Sequence, residues 1–161
     1  MSHDGMTVLA RRRETVRRAR VEELLIRFAE EEDEGSCALL DPQIPPYFLT
    51  RRIEQREVIV AELDGEVVAC LRFEFLGARA PLISLLAVRP DLQGEGIGRH
   101  LIEFLEEYLR DLGYNALMCA AREGSPDFEG WLRRLGFQEC GFLSGMHPDG
   151  SGEVFFRKSL E

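Results

Sequence analysis

Residues 93–98 read QGEGIG and lie between an apolar run, LISLLAV at 82–88, and a strongly amphipathic one. A loop that holds an anion needs backbone N–H groups aimed at one spot beside the positive end of a helix, and glycine permits that close approach. Anion binding is therefore the chemistry this stretch predicts. Spacing excludes two common versions of it. A triphosphate loop carries Lys and then Ser or Thr after its last glycine, whereas Arg99 and His100 follow here. A dinucleotide fingerprint needs glycine at 99 or 101, where Arg99 and Leu101 stand.

Other reactive residues are sparse. Cys37, Cys70, Cys119 and Cys140 are scattered, with no CxxC pair and no His at ligand spacing, so they are expected to be buried or half-buried thiols and no metal site is expected. His100 falls in a first helical turn, and His147 lies in a Gly-Pro-rich turn near the end of the chain. The net charge of −9 argues against nucleic acid as a partner, and the Arg-dense stretch at 11–20 is expected to be a solvated face. No apolar run approaches the roughly 20 residues that span a bilayer, and MSHDGMTVLARRR lacks the apolar core of a secretory signal. The expectation is a soluble, cytoplasmic chain with no membrane partner.

The elements that position the loop follow from periodicity. Residues 1–13 form a tail and 14–161 a single domain, which suits a chain of 161 residues, 45% of them apolar. TVRRA predicts a short strand, and VEELLIRFAEE predicts a helix, with Val21, Leu24, Leu25 and Phe28 at i, i+3, i+4 and i+7 and an end at Gly35. Pro45-Pro46 opens a second helix, YFLTRRIEQR. Asp64-Gly65 joins two β-rich runs as a hairpin, and LISLLAV follows as a strand covered on both faces. Ile97, Leu101, Leu105, Tyr108 and Leu112 mark the buried stripe of a helix, with Glu103, Glu106 and Arg110 on its other side. NALMCAA is a strand, SPDFEGWLRRLG a helix capped by Ser125 or Asp127, and FQECGFL and EVFFRKSL two closing strands around HPDGSG. The order is β-α-α-β-β-β-α-β-α-β-β, an α+β domain with a mixed sheet.

LLAVRPDLQGEGIGRHLI resembles motif A of the Gcn5-related N-acetyltransferase (GNAT) superfamily: Gln93, Gly96 and Gly98 fill its signature, with Val88 and Pro90 before them. WLRRLGF at 131–137 is similar to the family's motif B. The resemblance implies a GNAT-like mixed sheet of about six to seven strands with about four helices, and transfer of an acetyl or acyl group from the co-substrate acetyl-CoA to a primary amine of a small molecule, peptide or protein. It implies that backbone N–H groups of Gly94, Gly96, Ile97, Gly98 and Arg99 hold the pyrophosphate. Pantetheine would add like a strand along Leu86, Ala87 and Val88, where the strand parts from NALMCAA. The Leu86 N–H would meet the thioester oxyanion, and Ser125 stands where an Asn often contacts the cofactor. Such folds often form homodimers.

Two departures bear on catalysis. The positions where many members carry a Glu are Leu82 and Ser84, so Glu74, in the outward rhythm of RFEF, is the nearest candidate base, with a water chain ending at Glu62, Glu74 or Ser84 as the alternative proton path. The position of the family's acidic Tyr is Leu132, which leaves Tyr114, Ser125 or Cys119 as substitutes, and Trp131 beside it is expected in the core. Arg133 and Arg134 lie where a basic residue can meet the adenosine phosphates. The segments that would delimit the acceptor are DPQIPPYFLT and GMHPDGSG, the second bringing His147 toward it, with Tyr47 and Phe48 expected to pack on the sheet and Phe73 and Phe75 on the hairpin as lining. The alternative reading is a catalytically weak acyl-CoA-binding or assembly module.

Overall fold

The computed structural model describes residues 23–161. The tail at 1–13, the strand expected at 15–19 and the basic stretch at 11–20 lie outside them. Among the described residues there are seven strands: β1 (Leu25–Phe28), β2 (Val58–Leu63), β3 (Glu66–Leu76), β4 (Ala80–Val88), β5 (Ala116–Arg122), β6 (Gln138–Leu143) and β7 (Glu153–Ser159). They form one sheet in the order β1-β2-β3-β4-β5-β7-β6, parallel between β4 and β5 and antiparallel at β1–β2, β5–β7 and β6–β7. Four α-helices accompany it: α1 (Glu34–Leu40), α2 (Pro46–Glu54), α3 (Ile97–Asp111) and α4 (Pro126–Arg134). No helix among the described residues is long and apolar enough to cross a membrane. The described chain divides into two compact units, 23–70 with 87–101 and 71–86 with 102–161.

In the first unit the Asp64-Gly65 turn has φ of 52° and 80°, the pair of positive angles that a two-residue hairpin requires, and β2 behind it is almost entirely buried. The helix expected over VEELLIRFAEE is replaced by β1, whose residues pair with β2 from Leu25↔Glu62 to Phe28↔Ile59. A short apolar run can satisfy either period, and here the cross-strand partner decides. Arg27 donates to Glu62 through Nε at 3.1 Å and Nη2 at 2.9 Å, and to Asp33 through Nη1 at 2.6 Å and Nη2 at 3.0 Å. Asp33 also accepts the Glu30 N–H at 2.8 Å, at the start of a short 3-10 turn, Glu31–Asp33. Gly35, expected to end a helix, lies near the start of α1.

The hydrogen bond from Arg27 holds the Asp33 carboxyl below its ordinary 3.8. Because the folded value is the lower one, this contribution is fully present above about pH 4 and is lost as pH falls through the folded value. Asp33→Asn is expected to flatten the acid limb of stability against pH and to cost about 1–2 kcal/mol at pH 7, discounted because Arg27 is partly in water. Urea melts at pH 7 and pH 3 check both, and an unchanged acid slope would refute the assignment.

In the second unit Phe73, Leu105, Leu109, Leu117, Leu132, Phe137 and Phe156 are fully buried, and Phe73 meets Tyr108 edge-on at 6.4 Å. Glu106, expected on the solvent face of α3, is 4% exposed. Its carboxylate accepts from Lys158 at 2.6 Å and from Arg110 at 3.3 Å, partners that make burial of the charge tolerable. Leu112 falls beyond the end of α3 and is exposed. Cys140 is also exposed, because β6 is an edge strand with every residue in solvent, whereas Cys37, Cys70 and Cys119 are buried. Ser125 precedes α4 as expected, but its side chain makes no capping hydrogen bond.

Candidate active site

Parallel neighbours ordinarily exchange evenly spaced hydrogen bonds along their length. Among the described residues, β4 and β5 pair at Leu82↔Met118 and Ile83↔Cys119 and no further, although β4 continues to Val88 and β5 to Arg122. β5 is instead held by a ladder of seven pairs to β7, from Ala116↔Ser159 to Arg122↔Glu153. Where the two strands part, a cavity of about 390 Å³ opens in the second unit, within the size range of small-molecule sites. Residues 82–86 line it from β4 and residues 119–122 from β5, joined by Glu74, Ser125, Phe128, Met146, Glu153 and Phe155.

The cavity thus brings together Glu74, Ser84, Leu86 and Ser125 from the sequence-derived set. Glu74 is half-buried, and the exposed Ser84 hydroxyl donates to the Arg72 carbonyl at 3.3 Å. Leu82 is an apolar wall. Leu132 is a fully buried core residue and Trp131 is half-buried, stacked on Phe128 at 5.8 Å. Tyr114 packs on Phe75 at 5.3 Å, and Phe73 is in the core, so none of these three lines the cavity. Tyr47, expected against the sheet, is 69% exposed. Burial pushes the Cys119 thiol up to about 12, which removes it as an acid at neutral pH.

The Gly-rich loop belongs to the first unit. Ala87 and Val88 end β4 half-buried, and the Arg89 N–H donates to the Val68 carbonyl at 2.8 Å. A single 3-10 turn at Pro90–Leu92 follows, and the Gln93 amide folds back to donate to the Val88 carbonyl at 3.2 Å. Gly94 and Gly96 have φ of 80° and 87°, conformations that side chains other than glycine's rarely adopt. Ile97, buried, begins α3, with Gly98 and the exposed Arg99 in its first turn.

Sequence reasoning reached the third side of the cavity through GMHPDGSG, whose Met146 lines it, but missed Glu153. Glu153 is the first residue of β7, and its Oε1 lies 2.6 Å from His147 Nε2. Arg122 donates to Asp149 at 2.7 Å and to Ser151 at 3.3 Å. The Ser151 hydroxyl, its backbone N–H and Arg122 together hold the Asp149 carboxyl down to about 2. A carboxylate at the start of a terminal strand carries no sequence signal of a site; only the period-two alternation of EVFF hints that Glu153 and Phe155 share a face.

A mixed sheet whose parallel pair parts over a cavity, in a chain whose β4 runs on into a glycine loop at a helix start, fits the fold that the resemblance implies. The chain belongs to the acetyltransferase (GNAT) family, whose sequence profile matches residues 19–137. It is 31% identical over 116 residues to an L-methionine sulfoximine/L-methionine sulfone acetyltransferase of Pseudomonas aeruginosa, covering 69% of this chain and 64% of that one. It is 30% identical over 84 residues to an uncharacterized N-acetyltransferase of Chlorobaculum tepidum, covering 52% and 51%. The chain thus spans about half to two thirds of the length of these curated relatives. The N-acetylglutamate synthase of Neisseria gonorrhoeae, solved with coenzyme A and N-acetyl-glutamate, shares the fold with a TM-score of 0.72 at 22% identity, covering 86% of this chain and 35% of that one.

Proposed function

We propose that the chain is an N-acetyltransferase that moves an acetyl or acyl group from acetyl-CoA to a primary amine by direct attack in a ternary complex. The observation that carries this reading is the parting of β4 from β5 after Ile83↔Cys119, which leaves strand edges able to receive an extended amide-bearing chain such as pantetheine. On this reading pantetheine follows Leu86, Ala87 and Val88. The Leu86 N–H meets the carbonyl oxygen, where negative charge grows as the amine attacks. The pyrophosphate is held by the N–H groups of Gly94, Gly96, Ile97, Gly98 and Arg99, on a loop shaped by Gln93, and Ser125 contacts the cofactor. Proton removal falls to a carboxylate of the cavity wall, for which Glu74 with Ser84 is the sequence-derived candidate.

The test is a thermal melt with acetyl-CoA, followed by mass spectrometry of amines incubated with protein and acetyl-CoA. Stabilisation of several degrees and an N-acetyl product are expected. An unchanged melt at millimolar acetyl-CoA would refute the reading. Stabilisation without product across a broad amine panel would favour the acyl-CoA-binding module, the reading suggested by Leu82 and Leu132 in place of the usual Glu and Tyr.

A further inference from the structure

The β6–β7 hairpin puts a second acidic residue, Glu153, on the cavity wall, and its own contacts fix it in place. Glu153 stands opposite Arg122 on β5 and Leu143 on β6, its side chain 14% exposed and its Oε1 held 2.6 Å from His147 Nε2. The turn that carries His147 is closed by its own hydrogen bonds: the His147 N–H donates to the Ser151 carbonyl at 3.0 Å, and the Gly150 N–H to the His147 carbonyl at 2.9 Å. On the other side, Gly152 and Glu123 are tied twice, through Gly152 N–H to Glu123 Oε2 and Glu123 N–H to the Gly152 carbonyl, each 2.9 Å. Glu153 is thereby anchored immediately before itself in the chain and through its side chain.

The charges of the lining point to the ligand. The lining carries two carboxyl side chains, Glu74 and Glu153, whereas the guanidinium of Arg122 is already engaged by Asp149 at 2.7 Å. The balance favours a cation over a carboxylate-bearing group. Leu82, Phe128, Met146 and Phe155 supply apolar wall around it.

We propose that Glu153, oriented by His147, receives the ammonium group of the acceptor and takes its proton, so that the acceptor is an amine with a cationic head and an apolar body. The proposal rests on the acyltransferase reading. His147 engages one carboxylate oxygen, and a carboxylate offers about four lone-pair sites, which leaves room for an ammonium donor. The N–H bond of R–NH3+ breaks as its proton passes to the Glu153 carboxylate, and the freed lone pair forms the C–N bond at the thioester carbon. Collapse of the tetrahedral adduct breaks the C–S bond. The second amine proton ends on the leaving thiolate as CoA–SH, and Glu153 returns the first to solvent, so acetyl-CoA and R–NH3+ give the amide, CoA–SH and one H+. His147 is a positioning residue in this scheme.

The test uses two probes with the same aromatic body: 2-phenylethylamine, cationic at neutral pH, and phenylacetic hydrazide, a neutral nucleophile with no proton to give up before attack. N-acetyl products are measured by mass spectrometry for the wild type, Glu153→Gln, Glu74→Gln and His147→Gln. For phenylethylamine, Glu153→Gln is expected to lower kcat/KM at least about 100-fold, and His147→Gln about 10-fold, within the range of general-base effects. Toward the hydrazide both are expected to stay within about threefold of wild type, and Glu153→Asp to recover part of the amine activity. Stabilisation by acetyl-CoA should persist in all variants. Equal losses toward both probes, no loss in Glu153→Gln, a larger selective loss in Glu74→Gln, or a wild type that acetylates the hydrazide but not the amine would each overturn the proposal while leaving the acyltransferase reading in place. A wild type that neither binds acetyl-CoA nor acetylates either probe would overturn both.

Discussion

Replacing Gly96 with valine is expected to weaken acetyl-CoA binding about 10- to 100-fold while leaving a folded protein. Gly96 sits at φ 87°, a region that a β-branched residue occupies only under strain, of the order of 2 kcal/mol or more. A Cβ at this position would meet nothing within 4 Å, so the penalty is conformational rather than a collision. The loop is expected to relieve it by leaving its present shape, which would displace the N–H groups of Gly96, Ile97 and Gly98 that the proposed pyrophosphate site uses. The control is Gly77→Val, at φ 59° in the β3–β4 turn, which also has open space around it. It carries comparable strain and is expected to lower stability by a similar amount without affecting acetyl-CoA. Titration calorimetry of both variants checks the contrast. Equal affinity in wild type and Gly96→Val would count against the loop as the pyrophosphate site.

Gly152→Ala is expected to be the most destabilising single-methyl change in the second unit. A Cβ there would collide with the Leu143 carbonyl oxygen and lie 2.6 and 2.8 Å from two ring carbons of Phe142. The carbonyl belongs to the β6 backbone, which pairs with β7 through Leu143↔Glu153, so relief requires the hairpin to open rather than a side chain to turn. A cost of about 3 kcal/mol follows from forcing atoms into packed space, and for a chain of this size it lowers Tm by about 6–12 °C. Because Glu153 is the next residue, the cavity wall should move with it. Calorimetry of the variant measures the first effect, and a Tm within about 2 °C of wild type would contradict it.

The parts of the fold that were legible in the sequence are those specified by neighbouring residues. Asp64-Gly65 announced its hairpin because two positive φ angles suit few residue pairs, and Ile97, Leu101 and Leu105 announced α3 because one apolar stripe needs burial. β1 was misread as helix because its identity depends on Glu62, a partner far along the chain. Glu106 was misplaced for the same reason, since its burial is tolerable only with Lys158 on the last strand. In the site, the loop was legible through its glycines, whereas the parting of β4 from β5 is a backbone property that leaves no mark on side-chain identity. Glu153 and His147 become neighbours only once the last hairpin closes.

Cys119 is a lining residue of the cavity, yet its thiol is buried and raised to about 12, which bears on any thioester held there. At pH 7 such a thiol stays protonated, and the thiolate is the form that attacks a thioester. A reactive cysteine at this place would capture the acyl group from its own substrate and block the cavity. Depth of burial thus makes this thiol inert, and in the proposed reaction an acyl group would be left for the incoming amine rather than lost to the protein.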